Sequence, residues 1–119
     1  DSGIITQQTG TIAPGSLLNY TAVNNTLSMV FPVVSPYYAT IPSFGLPWGF
    51  TLASKDIDPL NLPADEVDKR IGKTVKGKLD FYDGITHQGV FRIPKYLREA
   101  NRKQKRVIRD TEPLFTYTA

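Results

Sequence analysis

Cysteine is absent from the 119 residues, which excludes disulfides and thiolate-bound zinc and agrees with a reducing compartment. Histidine occurs once, at His87, so no histidine pair is available to hold a metal, and no metal site is expected. No serine forms a recognisable nucleophile motif with that histidine. No apolar run approaches the roughly 20 residues needed to cross a bilayer. The expectation is a soluble, cytoplasmic protein without a membrane partner. A Gly-x-Gly-x-Gly turn of the kind that cradles a nucleotide is also missing, so the cofactor-holding part of such a fold is not expected within this chain. The sequence opens on Asp1-Ser2-Gly3-Ile4-Ile5, without a methionine and almost directly in an apolar run, and reads as a segment of something larger.

What is present has the balance of a globular protein. With 40% hydrophobic and 21% charged residues the chain is not disordered in the main, and its length suits a single core. We read residues 1–119 as one segment of a larger domain, with 104–119 as a tail. The net charge is +3, and the basic excess is concentrated between Arg92 and Arg109, where eight lysines or arginines face one acid, Glu99. Such a run can neutralise phosphates. Only Tyr96 is interleaved as a base-stacking aromatic, so a solvated face or a subunit contact is expected and nucleic acid is disfavoured.

Along the chain, residues 3–8 (GIITQQ) read as a buried strand of a parallel sheet that ends at Gln7 and Gln8. In open α/β sheets ligands sit beyond such strand ends, so the two amides fall where a site would be. The plainer alternative is that they meet solvent. Gly10 to Gly15 is a loop and Ser16 a suitable cap for a helix carrying Leu17, Tyr20, Val23, Leu27 and Val30 or Phe31 on one side, until Pro32 stops it. Residues 37–55 then form a hairpin. Trp48, Phe50 and Leu52 alternate with Gly49, Thr51 and Ala53, and Pro42, Gly45 and Pro47 stiffen a six-residue turn that presents Phe44, Leu46 and Trp48.

A short helix is expected from Pro63 to Ile71, ended by Gly72, with Asp65–Lys69 and Glu66–Arg70 spaced for ion pairs. Pro94 begins another with Tyr96, Leu97 and Ala100 on one side. Leu114, Phe115 and Tyr117 are expected to strap across the body or a neighbouring subunit. For His87 the expectation is an imidazole that satisfies a backbone group where a short helix packs on the sheet, with a general base or a metal ligand as the alternative. Tyr82 reads as a packing residue with a tethered hydroxyl.

Two stretches carry a family resemblance. IPSFGLPWGFTLASK, residues 41–55, resembles the spermidine synthase signature, in which I-P-T-Y-P-x-G leads into a G-F strand ending in A-S-K or a close variant. Downstream, Tyr82, His87, Phe91, Ile93 and Pro94 fall on the family's Y-x-x-x-x-H-x-x-x-F-x-L-P pattern, with Ile93 in place of leucine. The resemblance implies the carboxyl-terminal part of a Rossmann-like methyltransferase fold, an α/β arrangement of strand, helix, antiparallel strand pair and short helices. It also implies aminopropyl transfer. An amine attacks the carbon beside the sulfonium of decarboxylated S-adenosylmethionine, a co-substrate and not a permanently bound cofactor, and methylthioadenosine leaves.

On this resemblance Gln8, Phe44 and Trp48 fall on substrate-binding positions, while the family's acidic base and its glycine-rich turn lie upstream. No catalytic residue is assigned here, Tyr82 and His87 are structural or secondary, and the segment alone is expected to be inactive. Its implied partners are the upstream half of the enzyme, a small-molecule amine and further copies in a homo-oligomer. Phe44 replaces a tyrosine, and the loop is one residue shorter than the pattern. The acceptor is therefore open among agmatine, putrescine, cadaverine and longer polyamines. Two other readings of the chain are a non-enzymatic interaction module with a basic tail and an amine methyltransferase on the same fold.

Overall fold

The computed structural model describes residues 3–114. Three strands, β1 (Ile4–Thr11), β2 (Val33–Ile41) and β3 (Leu46–Ser54), form one antiparallel sheet in the order β1-β3-β2. Four helices accompany it: α1 (Leu18–Ser28), α2 (Ala64–Thr74), α3 (Gly84–Val90) and α4 (Lys95–Lys103). A 3-10 turn, Pro59–Asn61, leads from β3 towards α2.

The central strand sets the architecture, because its alternating side chains give the sheet two different faces. Gly49, Thr51 and Ala53 point to the face covered by α1, and all three are buried. Gly49 is required there by close approach. A Cβ at this position would lie 2.6 Å from Thr9 Oγ1 and 2.7 Å from the Tyr20 ring, which is closer than packed atoms come. Tyr20 is fully buried and forms the principal core with Ile12, Ile93 and Leu97, flanked by Leu17 and Tyr38. Burial pushes the Tyr20 phenol above its usual range, against the lowering effect of hydrogen bonds from Asn101 and Asn24. It stays a neutral core residue.

Helix α1 is held by amides as much as by apolar contact. Thr51 Oγ1 donates to Asn24 Oδ1, Asn24 Nδ2 donates to Asn101 Oδ1 at 3.1 Å, and Asn101 Nδ2 reaches the Tyr20 hydroxyl at 3.4 Å. This series ties β3, α1 and α4 together. The segment after α4 then crosses α1, with Gln104 Nε2 on Thr21 Oγ1 at 2.8 Å, Asn25 Nδ2 on the Arg106 carbonyl at 2.9 Å and the Ile108 amide on Thr26 Oγ1 at 2.8 Å. This polar strap precedes the apolar one expected of Leu114, Phe115 and Tyr117, of which Phe115 and Tyr117 lie outside the described residues.

Several local expectations are corrected. Among the described residues β1 pairs with β3, antiparallel, and Ile4 and Ile5 are 51% and 40% exposed. An apolar run alone does not report which side is covered. The strand also continues to Thr11, so Gln7 and Gln8 stand mid-strand, just before a register shift between Gln8 and Gly10. Helix α1 buries Tyr20 as expected, with Leu17 packed beside it, but also Thr21, Ala22 and Asn24, which the polar network draws inward; Met29 and Val30, just past its end, are exposed. The hairpin turn spans only residues 42–45, and Leu46 and Trp48 belong to β3.

Helix α2 runs through Gly72 to Thr74, since an exposed helical glycine costs only about 1 kcal/mol. Among the described residues the Glu66–Arg70 pair forms at 3.1 Å, whereas Asp65–Lys69 does not. Asp68 has another task, accepting from the Gly84 amide at 2.7 Å where α3 begins. A Cβ on Gly84 would fall 1.9 Å from the Ala64 carbonyl oxygen, so only glycine lets α3 approach α2 here.

Two substitutions test this packing. Asn24→Ala strands the Thr51 hydroxyl and the Asn101 carbonyl in the interior, and should lower stability by about 2 kcal/mol in urea unfolding. Gly49→Ala should cost at least as much, about 2 kcal/mol or more, because neither the Tyr20 ring nor β1 has room to retreat. A loss below about 0.5 kcal/mol in either variant would contradict the arrangement.

Candidate functional site

The second face of the sheet is the one left largely open. Cross-strand register places Gln8, Phe50 and Tyr37 in one row across β1, β3 and β2, and Thr11, Trp48 and Ala39 in the next. Side chains of paired residues project to the same side, so Gln8 and Trp48 are diagonal neighbours on this face. Phe44 joins them through the turn. Its amide donates to the Ile41 carbonyl at 2.9 Å, Gly45 takes φ +71° to reverse the chain, and the Phe44 ring comes back against Trp48 with 4.6 Å between centroids and a tilt of 49°.

The three residues differ in availability. Gln8 is exposed, Phe44 is 44% exposed and Trp48 is half-buried. The Trp48 Nε1 hydrogen is enclosed and has no hydrogen-bond partner among the described residues. An indole N–H can only donate, so it does not hold an ammonium group; the ring face does that better. Gln8 supplies a carbonyl oxygen that can accept from such a group, and a neutral amide that asks for no counter-charge.

Beside this pair, on the same face, lies a second aromatic group. Tyr37 stacks on Phe50 at 5.5 Å and touches Phe91 at 5.0 Å, and Phe91 in turn meets His87 at 5.0 Å. Phe50 is legible from its alternation with Trp48. The contribution of Tyr37 is not, because it depends on which residue of β2 stands opposite Phe50, and only the pairing register fixes that.

His87 is buried and both of its ring nitrogens are engaged. Nε2 lies 2.7 Å from the Pro59 carbonyl oxygen, which can only accept, so the hydrogen resides on Nε2. Nδ1 is then the acceptor for the Tyr82 hydroxyl at 2.5 Å. The imidazole thus clamps the turn after β3 to the loop before α3. Burial raises the Tyr82 phenol, with the neighbouring Tyr37 adding to the effect, and burial alone raises Tyr37. Both stay uncharged at neutral pH.

The nearby carboxylates serve the helices. Asp83 caps α3 by accepting from the Thr86 amide at 2.8 Å, and those amide bonds hold its carboxyl below the usual range. Among the described residues no cluster of histidine, cysteine and acidic side chains is placed to hold a metal ion, and no helix is long and apolar enough to cross a membrane.

No family model matches the chain. Individual relatives do. It is 37% identical over 113 residues to polyamine aminopropyltransferase 2 of Hyperthermus butylicus, covering 94% of this chain and 36% of the relative. With the polyamine aminopropyltransferase of Sulfolobus acidocaldarius it shares 39% identity over 117 residues, 98% of this chain and 38% of the relative. A solved spermidine synthase in complex with the transition-state analogue AdoDATO superposes with a TM-score of 0.68 at 20% identity, over 87% of this chain and 34% of that one. The spermidine synthase of Thermotoga maritima gives 0.67 at 22% identity, over 87% and 35%. At those identities the solved structures establish the shared fold, and this chain spans somewhat more than a third of the curated relatives' length. Over almost its whole length, therefore, the chain is a homologue of one portion of the polyamine aminopropyltransferases.

Proposed function

We propose that the chain furnishes the amine-facing wall of an enzyme that transfers the aminopropyl group of decarboxylated S-adenosylmethionine to an amine. The observation that carries this reading is the convergence of Gln8, Trp48 and Phe44 on the uncovered sheet face of a chain homologous to aminopropyltransferases. In the transfer, the lone pair of a neutral primary amine attacks the carbon beside the sulfonium. The carbon–sulfur bond breaks with its electrons going to sulfur, methylthioadenosine leaves, and the extra proton on nitrogen passes to a base or to water.

On this proposal the chain's own residues bind and orient. Gln8 accepts a hydrogen bond from the amine, and the tilted pair of Phe44 and Trp48 lies along the methylene chain with a ring face towards positive charge. The His87–Tyr82 clamp and the stack of Tyr37 on Phe50 keep that wall in place from the side. The base and the glycine-rich turn that grips the nucleoside belong to the remaining portion of the enzyme. Residues 1–119 form its carboxyl-terminal segment and the stretch from 104 its tail, and the whole works in the cytoplasm as a homo-oligomer.

Phe44 bears on selectivity. It keeps the aromatic wall and offers no hydroxyl to the far end of the amine, so discrimination among diamines and longer polyamines is weaker than in a site with a tyrosine there.

Recombination supplies the test. Mixed with the remaining portion of the Sulfolobus acidocaldarius enzyme, the chain should support methylthioadenosine release from decarboxylated S-adenosylmethionine and an amine, and neither part should do so alone. No release with putrescine, cadaverine, agmatine or spermidine would overturn the proposal. In an active mixture, Gln8→Ala should lower kcat/KM for the amine about 10- to 100-fold, the loss expected for a hydrogen bond to a charged group. Trp48→Ala should raise KM for the amine about tenfold. Phe44→Tyr should change the ratio of kcat/KM between two amines of different length, and an unchanged ratio would remove Phe44 from the site.

A further inference from the structure

The row of side chains that starts at Gln8 has a second polar end. Pairing sets Gln8, Phe50 and Tyr37 side by side on β1, β3 and β2, so one face carries an amide, then a phenyl ring, then a phenol. The backbones of Gln8 and Tyr37 stand two strand spacings apart, roughly 10 Å. Tyr37 is half-buried and held in place: its ring stacks on Phe50 with 18° between planes and meets Phe91 at 5.0 Å. Its hydroxyl makes no hydrogen bond among the described residues and, unlike the Trp48 indole hydrogen, is not enclosed. The neighbouring Tyr82 has no hydrogen to give it, because that hydrogen goes to His87 Nδ1. The lone pairs of the Tyr37 oxygen are therefore left for a donor from outside the chain, and burial keeps the phenol neutral.

We infer that Tyr37 is a further specificity-determining residue: its hydroxyl oxygen accepts from the ammonium end of the amine remote from the reacting nitrogen, while the Phe50 ring lies under the methylenes between Gln8 and Tyr37. The inference rests on the reading of the chain as part of an aminopropyltransferase, and adds to it the direction of the ligand, across the strands. The order polar, apolar, polar along the row complements a molecule with a nitrogen at each end and methylenes between. Four methylenes with a hydrogen bond of about 2.9 Å at either end cover a span like that from Gln8 to Tyr37. A monoamine reaches the Gln8 end alone and gains nothing from the phenol. Phe50 and Phe91 already fix the Tyr37 ring, so little side-chain freedom is lost when the ligand arrives. Tyr37 thus supplies, from β2, the phenol that Phe44 lacks in the turn.

Tyr37→Phe removes the oxygen and keeps the stack on Phe50, which makes it the variant of choice. The 119-residue chain, completed with the remaining portion of the Sulfolobus acidocaldarius enzyme, is titrated calorimetrically with putrescine and with butylamine, which lacks the second nitrogen. Tyr37→Phe should weaken putrescine about tenfold or more, the loss expected for a hydrogen bond to a charged group, and leave butylamine unchanged. A merely structural role would weaken both amines alike, and that result would overturn the inference. So would putrescine affinity indifferent to the substitution, or no binding of putrescine to the unaltered protein. The outcome is separable from that of the functional proposal, because binding needs no turnover. Selective loss of putrescine without methylthioadenosine release refutes only the activity, and release with putrescine affinity indifferent to Tyr37→Phe refutes only the role of Tyr37.

Discussion

The approach of Tyr20 to Gly49 is the contact on which the rest depends. With no side chain at the middle of β3, the tyrosine ring lies almost on the backbone, and α1 settles close enough for Asn24 to take the Thr51 hydroxyl. Those two contacts decide which side of the central strand is interior. Because a strand alternates, they also decide that Trp48 and Phe50 point the other way, onto the face that carries Gln8 and Tyr37. A buried glycine on one side of the sheet thereby positions the aromatic wall on the other.

A second set of contacts steadies that wall from its β2 end. Gly84 allows α3 against α2, Asp68 and Asp83 satisfy amides at the start of α3, and His87 joins the Pro59 carbonyl to the Tyr82 hydroxyl. Phe91, at the end of α3, then rests on Tyr37, which stacks on Phe50. The chain thus holds its open face between a polar lock under the sheet and an aromatic brace beside it. On the proposed function, what it offers to a ligand is one neutral amide and two aromatic rings, a set suited to a flexible cation.

Much of this is legible in the residues, for identifiable reasons. The alternation of Trp48, Phe50 and Leu52 with Gly49, Thr51 and Ala53 fixes a strand with one apolar side, and the two prolines with Gly45 fix a turn before it. The spacing of Tyr82, His87, Phe91 and Pro94 carries the family resemblance that the relatives bear out. Pairing is what the sequence conceals. The antiparallel pairing of β1 with β3 is not visible in its apolar run, and the expected side of α1 is right for Leu17 and Tyr20 but misses Asn24 and Thr21, polar residues made internal by partners 27 to 83 positions away. The place of Tyr37 beside Phe50 is hidden for the same cause, since register is a property of two strands together.

The central claim is that a ligand amine lies on the open face, between the Gln8 amide and the Trp48 ring. It is tested most directly by isotope-labelling only the 119-residue chain, completing it with the unlabelled remaining portion of a relative and titrating in putrescine while its NMR spectrum is recorded. The account predicts that the Gln8 side-chain amide and the Trp48 and Phe44 ring signals shift together with one saturation curve. Shifts confined to α4 and the strap, or a spectrum that saturating amine leaves unchanged, would contradict it.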